Sequence, residues 1–347
     1  MKDIKEKDLQ KLLETFSICS IPKNRNYWLF RINNGKNFND FYMENFIAIG
    51  HEESSLYDEL CLDLIKSEDY ELIHEEVKRI DTQYYEYCGI ITYYMDVFIN
   101  RMKKGDIILC PSENSSYIAF GILEDDKVTE ISEEKSRRLY NSGRCHFRKR
   151  RKVKWYKYVE RDNLDLYLHK LLNSYYAVAE ANDYSHYINR SLYNFFISNN
   201  KLYVIFEVKN NNNINAVEIL NFINNVIYCI EIYNKLYDKS FNKEDIDMKI
   251  NVHSPGPIEF SSYISMGLVI AVAIIALAGG KGKFKKSSNE IEGELETDGL
   301  IIRILEFYKA IKENKLSEKE MEWKEDFINT TQQLNIKIPN IDEEDKK

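Results

Sequence analysis

The stretch that decides the organisation of this chain is residues 260–280, FSSYISMGLVIAVAIIALAGG, which contains no charged residue. It begins at Phe260 and ends at Gly280. The whole chain is polar by comparison, with 30% charged residues and a mean hydropathy of -0.48. A helix rises about 1.5 Å per residue, so this stretch would reach roughly 30 Å, the thickness of a bilayer's hydrocarbon core. We therefore predict an apolar helix that contacts a membrane. The alternative is a buried core helix, because the continuous apolar part, residues 266–278, is short for a span.

The residues around this stretch conflict with a simple span. Four lysines follow it directly: Lys281, Lys283, Lys285 and Lys286. The positive-inside rule places such lysines in the cytoplasm, which would put everything before the helix outside, although the N-terminus has no signal-peptide pattern. We therefore predict a shallow or conditional insertion with the lysines on lipid head groups. A rigid hinge precedes it, formed by Ser254, Pro255, Gly256 and Pro257.

Composition restricts the function classes. The 347 residues are enough for two or three domains, and the net charge of -8 argues against a protein coated with nucleic acid over its whole surface. The six cysteines form no CxxC pair, which excludes a zinc pattern and is typical of a reducing cytoplasm. Because the sequence has no glycine-rich phosphate loop and no HExxH, we predict no cofactor and no metal. We expect a cytoplasmic, membrane-associated protein.

Turn-forming residues and the periodicity of apolar residues predict an α+β chain in five parts. These are an amphipathic helix over residues 1–24, a recognition domain over 25–160, an α/β domain over 163–257, the apolar helix over 258–280 and a helical tail over 281–347. In the tail, Ser317 and Glu320 have the spacing of a capping box that opens a helix. The tail helices also predict a second copy of the chain as a partner, with intramolecular packing as the alternative.

The first domain carries short motifs in a recognisable order. Trp28 lies in YWLFR, Gly50 in IAIG, residues 102–106 read MKKGD, and Gly121 lies in the strand YIAFGIL. This order resembles the PUA/EVE-like superfamily of small β-barrels, including N-terminal domains attached to Mrr-type restriction and bacterial defence proteins. The resemblance implies an aromatic pocket for a modified or flipped base and a role in antiviral defence. Trp28 and Trp155 would then stack on the base; the alternative is that both are aromatic residues of the barrel core.

The strongest charge signal, which we call the basic segment, is residues 137–157, RRLYNSGRCHFRKRRKVKWYK. It contains ten basic residues, no acidic residue and interleaved aromatic residues, a pattern that favours phosphate contacts and base stacking. The alternatives are docking on lipid head groups and a solvated face. The predicted nucleic-acid-binding residues are Trp28, Arg31, Arg144, Arg148, Lys149, Arg150, Arg151, Lys152, Lys154 and Trp155.

One enzyme-like signal occurs, at the end of the predicted strand LYVIFEVK. Glu207 and Lys209, with Asp183 upstream, have the residue types of a PD-(D/E)xK nuclease, in which acids hold a metal near the scissile phosphate. Chance occurrence is the stronger interpretation, since no second acid has convincing spacing.

The leading hypothesis is therefore a non-catalytic, membrane-associated sensor or effector that recognises DNA or RNA. The alternatives are a metal-dependent nuclease using Glu207 and Lys209, and a soluble nucleic-acid-binding protein in which residues 260–280 form a core helix.

Overall fold

The computed structural model describes residues 6–52, 55–80, 86–208, 215–250, 256–278 and 299–337. It contains 54% helix and 22% strand, which confirms the mixed α+β class. The helices are α1 (Glu6–Thr15), α2 (Phe38–Glu44), α3 (Leu56–Glu59), α4 (Leu62–Lys66), α5 (Tyr70–Ile80), α6 (Cys88–Asp96), α7 (Glu133–Asn141), α8 (Leu166–Leu172), α9 (Ser185–Leu192), α10 (Ala216–Tyr237), α11 (Ile264–Leu277), α12 (Gly299–Lys312) and α13 (Glu318–Gln333). A π-helical turn, Val97–Arg101, continues α6.

The strands are mostly short, with two long central members, β7 and β10. They are β1 (Cys19–Ser20), β2 (Tyr27–Phe30), β3 (Phe46–Ile49), β4 (Ile107–Pro111), β5 (Tyr117–Leu123), β6 (Thr129–Glu130), β7 (Lys149–Glu160), β8 (Val178–Glu180), β9 (Phe195–Ser198), β10 (Lys201–Val208), β11 (Asp247–Ile250), β12 (Gly256–Tyr263) and β13 (Ile336–Lys337).

The chain divides into two compact units whose boundaries differ from the predicted domains. The central unit is Asn24–Leu192, and the terminal unit combines Met1–Lys23 with Tyr193–Lys347. The predicted boundary near residue 160 moves to residue 192 because β8 pairs with β2 and thereby joins the first sheet. The N-terminal helix, the rest of the predicted middle domain, the apolar helix and the tail belong to one unit instead of four parts.

The central unit is built on one of the two sheets. Its strand order is β3-β7-β5-β4-β2-β8, with β6 on β7, and β2 and β4 run parallel. Alternating residues along each strand face opposite sides. One side, with Trp28, Phe30 and Ile108, packs under the helices α2 and α6, while the other, with Leu29 and Ile107, packs under α8 and α9. Both faces of the sheet are therefore covered over much of its area.

The terminal unit has a second sheet, in the order β1-β9-β10-β12-β11, with β13 also paired to β10. The helix α11 lies on its apolar face, and every residue from Met266 to Leu277 is at most 7% exposed, glycine aside. At Gly267 the helix comes so close to β10 that an added Cβ would lie 2.6 Å from the Cβ of Leu202. The small residue therefore serves helix-on-sheet packing within the unit.

This placement corrects the expected organisation of residues 260–280. Phe260 to Tyr263 belong to the strand β12, and the helix that follows has 14 residues. It is about 21 Å long, shorter than the roughly 30 Å of a hydrocarbon core. In this conformation the helix is a core element and offers no face to lipid. The four lysines that follow it lie outside the described residues.

The prediction of a hinge is corrected for Gly256 and Pro257, the two of its residues that the structure describes. Gly256 and Pro257 are the first residues of β12 and pair with Val208 and Glu207 of β10. A strand paired along its length with a neighbour is held in the sheet, so these two residues do not form a hinge. Ser254 and Pro255 lie outside the described residues.

Of the described helices, α10 is the one that is long and apolar enough to cross a membrane by length and composition. It has 22 residues, and one face, with Phe222 and Tyr233, is buried in the core of the terminal unit. Its other face exposes Val217 and Leu220. Core helices of globular domains pass the same length and composition criteria, so these criteria do not distinguish a span from a core helix.

The tail helices close the same core. The capping box predicted at Ser317 and Glu320 is confirmed, since both reciprocal hydrogen bonds are present at the start of α13. Trp323 of this helix donates from Nε1 to the carbonyl of Asn225 on α10 at 3.0 Å. The tail is therefore part of the packed domain, as in the intramolecular alternative.

Candidate nucleic-acid interface

Trp28 does not provide a stacking surface. It is 3% exposed, and its Nε1 donates to Oδ2 of Asp106 at 2.9 Å. The Asp106 carboxylate also accepts from the backbone N–H groups of Asn26 and Lys103, at 3.1 and 2.9 Å. The prediction that Trp28 stacks on a base is corrected: its indole and the aspartate of MKKGD tie β2 to the start of β4 inside the unit.

The centre of the basic segment is also internal. Lys149 and Arg151 are 0% and 1% exposed. The Nζ of Lys149 donates to the carbonyls of Tyr57 and Asp58 at 2.8 and 2.9 Å and lies 3.2 Å from the Glu130 carboxylate. Its charge therefore satisfies groups inside the protein, and the expected phosphate contact is corrected.

Arg151 binds the end of a helix. Its Nη1 donates to the carbonyls of Phe98 and Met102 at 3.0 and 2.7 Å, and its Nη2 to the carbonyl of Asp125 at 2.9 Å. Carbonyls at the C-terminus of a helix lack partners within the helix and carry partial negative charge. The guanidinium supplies both the missing donors and a compensating positive charge, so Arg151 acts as a cap.

Arg150 is held on the other side of the same strand. It is 8% exposed, its guanidinium carbon lies 4.2 Å from the centroid of the Phe46 ring, and it donates to the carbonyls of Cys145 and Phe147. Burial is the main cause that lowers the pKa of Lys149, Arg150 and Arg151. All three charges are thus desolvated on folding and compensated mainly by backbone carbonyls.

Three more predicted contacts are engaged within the protein. Arg31 donates to the carbonyls of Leu172 and Ser174 at 2.9 and 2.6 Å. Arg144 forms ion pairs with Asp40 and Glu44, although its side chain is 43% exposed. The backbone N–H of Arg148 donates to Asp58, and its Nε lies 3.3 Å from the carbonyl of Ile131. The interactions of Arg144 and Arg148 link the basic segment to neighbouring elements, and all three arginines are less available as phosphate-binding residues.

Lys152 and Lys154 are, with Arg144, the predicted cations that the structure leaves exposed. The two lysines alternate along β7 with Val153 and Trp155, and successive side chains of a strand point to opposite faces. Val153 and Trp155 pack against the core under α2 and α6. The two lysines therefore lie on the other face, and the structure separates cations and tryptophan that the sequence interleaves.

Trp155 belongs to a group of neighbouring rings that we call the aromatic row: Phe38, Tyr42, Trp155, Tyr158 and Tyr117. The Tyr42 ring is the centre of the row, with its centroid 6.0 Å from Phe38, 6.0 Å from Trp155 and 5.3 Å from Tyr158. Tyr117 adds a contact of 5.7 Å to Tyr158. Tyr158 and Tyr117 are 53% and 40% exposed, so the row presents aromatic surface to solvent.

A hydrogen bond and close packing at Trp155 fix the orientation of the row. The Nε1 of Trp155 donates to the carbonyl of Phe41 at 2.8 Å, which joins β7 to α2. Gly121 of β5 leaves the space for this indole, because an added Cβ would lie 2.5 Å from its Cε3 and 2.4 Å from Cγ1 of Val153. The glycine of the motif YIAFGIL is therefore required by the tryptophan that packs across it.

Polar groups accompany the row. Partial burial, and secondarily the neighbouring Tyr158, raise the pKa of the Tyr42 hydroxyl, so this hydroxyl stays protonated as a donor at neutral pH. The Nδ2 of Asn37, next to Phe38 in the chain, is buried and has no acceptor in the described part of the protein. A buried donor without a partner costs about 1–3 kcal/mol, and such groups in native proteins call for an explanation.

Sequence reasoning found Trp155 but missed the three tyrosines around it. Tyr42 lies on a helix, Tyr117 starts β5 and Tyr158 lies near the end of β7, so the row is assembled from elements far apart in sequence. The signal available was the count of 25 tyrosines, which is high but gives no positions. Only the pairing of β5 with β7, in which Ala119 faces Tyr158, brings these rings together.

The nuclease alternative gains no support from the described residues. Asp183 lies in the central unit and Glu207 in the terminal unit, while Lys209 falls outside the described residues. The described residues also contain no group of three His, Cys, Asp or Glu side chains that could hold a metal ion.

Comparison with known families gives one match. Residues 28–176 match the family described as a domain of unknown function, DUF8426. The match lies within the central unit and includes most of its sheet and the entire aromatic row. No curated protein and no solved structure matched the chain.

Proposed function

We propose that the central unit recognises nucleic acid by stacking unpaired or flipped bases on the aromatic row. The observation that carries the proposal is the row itself, in which Trp155 and Tyr42 are fixed by packing while Tyr158 and Tyr117 remain about half exposed. Aromatic side chains that present a face to solvent bind bases with about 1–3 kcal/mol per stacked base. Rings held by the fold lose little conformational entropy when a base binds.

The proposed recognition depends on stacking more than on charge. Lys149, Arg150 and Arg151 are buried, and acidic residues outnumber basic ones in the central unit. A protein that neutralises few phosphates releases few counterions, so its affinity depends weakly on salt. The basic segment therefore contributes to the scaffold, and in this proposal specificity comes from the rings and from polar groups of the row such as the Tyr42 hydroxyl.

The resemblance to PUA/EVE-like barrels supports the same proposal. In such domains an aromatic pocket holds a modified or flipped base. DNA and RNA, with or without a modified base, are both candidate ligands. The role in antiviral defence follows only from the resemblance and is part of the proposal in that sense.

The proposal treats α11 as a core helix, in line with the third sequence-based hypothesis. The observation that favours it over membrane anchoring is the burial of Met266 to Leu277 beneath α10, α12 and the sheet. Membrane association would require this core to open, which exposes apolar surface at about 25 cal/mol per Å². Nothing in the described conformation compensates that cost.

The test is binding of fluorescein-labelled single-stranded DNA and RNA 12-mers, measured by fluorescence anisotropy. Tyr158→Leu removes the aromatic face but keeps an apolar side chain, and we expect affinity to fall about 5- to 150-fold. Tyr167→Leu is the matched control, because Tyr167 is similarly exposed, at 56%, on α8, which covers the other face of the sheet. Equal affinity of the Tyr158→Leu variant and the wild type for every probe would refute the proposal.

A further inference from the structure

A second group of tyrosines lies at the start of β8 and on α6. We call Tyr93, Tyr175 and Tyr176 the second aromatic cluster. The centroid of Tyr176 lies 6.4 Å from that of Tyr93 and 6.0 Å from that of Tyr175. Tyr175 and Tyr176 are 89% and 51% exposed, so this cluster also presents ring faces to solvent. The guanidinium of Arg101, half exposed, lies 5.5 Å from the Tyr93 ring centroid.

The topology places both aromatic groups at the same end of the sheet. β5 begins at Tyr117 and β7 ends at Glu160, and these two residues are Cα partners. β2 runs parallel to β4, and its last residue, Phe30, pairs with Val178 at the start of β8. The chain enters β8 from Tyr175 and Tyr176, so these rings lie at the end of the sheet where β7 finishes.

The two groups also lie on the same face. Tyr42 and Trp155 of the aromatic row pack against the core that α2 and α6 cover, and so does Tyr93. The strand of the row that is nearest to β8 is β5, which carries Tyr117, so β4 and β2 lie between the two groups. Three inter-strand steps of about 4.8 Å give roughly 14 Å along the sheet, which is too far for one base to touch both groups.

We infer that the second aromatic cluster is a second stacking platform, an inference that rests on the proposed function. The central unit then binds a single strand that extends from the aromatic row to the second aromatic cluster. The ligand is then an oligonucleotide of several unpaired residues instead of a single flipped base. Stacking is tolerant of sequence because every base has a π-face, so two separated platforms favour length over base identity. Arg101 stands beside the second platform and can accompany a stacked base with a cation–π contact.

The test compares fluorescein-labelled oligothymidylates of 2 and 12 nucleotides on the full chain. We expect the wild type to bind the 12-mer at least about tenfold more tightly than the dinucleotide, since only the longer strand reaches both platforms. Tyr176→Leu should weaken binding of the 12-mer about 5- to 150-fold and leave the dinucleotide unchanged, because the dinucleotide stacks on the larger aromatic row. Tyr158→Leu should weaken binding of both lengths. Tyr167→Leu, at a residue that is 56% exposed on α8, should change neither.

The outcomes separate the inference from the proposed function. If Tyr158→Leu weakens both probes but Tyr176→Leu weakens neither, the second platform is refuted and the first stands. If no probe binds, or if Tyr158→Leu has no effect, both proposals are refuted. A proline-rich peptide that competes at the affinity of the 12-mer would also overturn the inference, because aromatic grooves bind polyproline segments as well. The melting temperature of each variant checks that it is folded.

Discussion

Replacing Arg151 by Met tests whether the basic segment is a scaffold or a binding surface. Methionine keeps much of the side-chain volume and removes the guanidinium, which is 1% exposed and donates to three backbone carbonyls. If the segment were a solvated face, this change would remove one charge from the surface and alter stability by no more than about 0.5 kcal/mol. In the structure the same change removes the cap of the helix that ends at Arg101.

The magnitude follows from what the substitution leaves behind. Hydrogen bonds to a charged group contribute about 1.5–3 kcal/mol each, and the three carbonyls of Phe98, Met102 and Asp125 would lose their donor. The guanidinium itself costs free energy to bury, and its Nε has no acceptor in the described residues, so the contributions do not simply add. The change leaves no buried charge behind, and a buried carbonyl without a donor costs about 1–3 kcal/mol, so after the recovered cost of burying the guanidinium we expect a net loss of about 3 kcal/mol.

Urea unfolding followed by far-ultraviolet circular dichroism measures this loss, with the midpoint and slope fitted for each variant. Lys152→Met is the matched control, because Lys152 is the next residue of the same strand, carries the same charge and is exposed. We expect the control to stay within about 0.5 kcal/mol of the wild type. Arg151→Lys retains the charge with fewer donors and should lie between the wild type and Arg151→Met.

Equal unfolding free energies for Arg151→Met and Lys152→Met would refute the internal role of the basic segment. That result would restore the interpretation of residues 137–157 as a surface for phosphates or lipid head groups. If Arg151→Met does not fold at all, the intermediate variant Arg151→Lys still gives the comparison with the control, because a surface arginine tolerates lysine without loss of stability.

Three further changes probe other parts of the structure. Gly121→Ala should lower the free energy of unfolding by about 1–3 kcal/mol and weaken oligonucleotide binding, because the added Cβ displaces Trp155. The control is Gly89→Ala on a helix, where the added Cβ meets nothing within 4 Å, and it should be neutral or stabilising by up to about 1 kcal/mol. Equal urea midpoints for the two variants would contradict the packing at β5. Burial lowers the pKa of His146 below its ordinary 6.5, so the unfolded state binds more protons near that pH. The free energy of unfolding should therefore fall as the pH drops through 6.5. His146→Phe should reduce this pH dependence, and an unchanged dependence would exclude His146 as its source. Leu268 is 0% exposed, so Leu268→Ala should lower the free energy of unfolding of the terminal unit by about 2–5 kcal/mol. The loss should be the same with and without detergent. A loss that depends on detergent would instead support contact of this helix with lipid.

The sequence by itself determined the local structure of this protein. Residues 202–208 and 117–123 form the strands that their apolar pattern predicts, and Ser317 with Glu320 forms the expected cap, because strand alternation and capping depend on residues close in the chain. The α+β class followed from the order of these elements. The mixture of apolar and charged stretches did not by itself show which of them would be enclosed.

Only the tertiary structure decided which surfaces remained for a ligand. Burial depends on elements distant in sequence: the basic strand β7 lies between β3 and β5, and its arginines meet carbonyls from Cys145, Phe98 and Met102. The same holds for α11, whose apolar composition suits either a membrane or a core until α12 and the sheet cover it. The aromatic row likewise needed β5 and β7 to pair, since no local pattern places Tyr42 beside Tyr158.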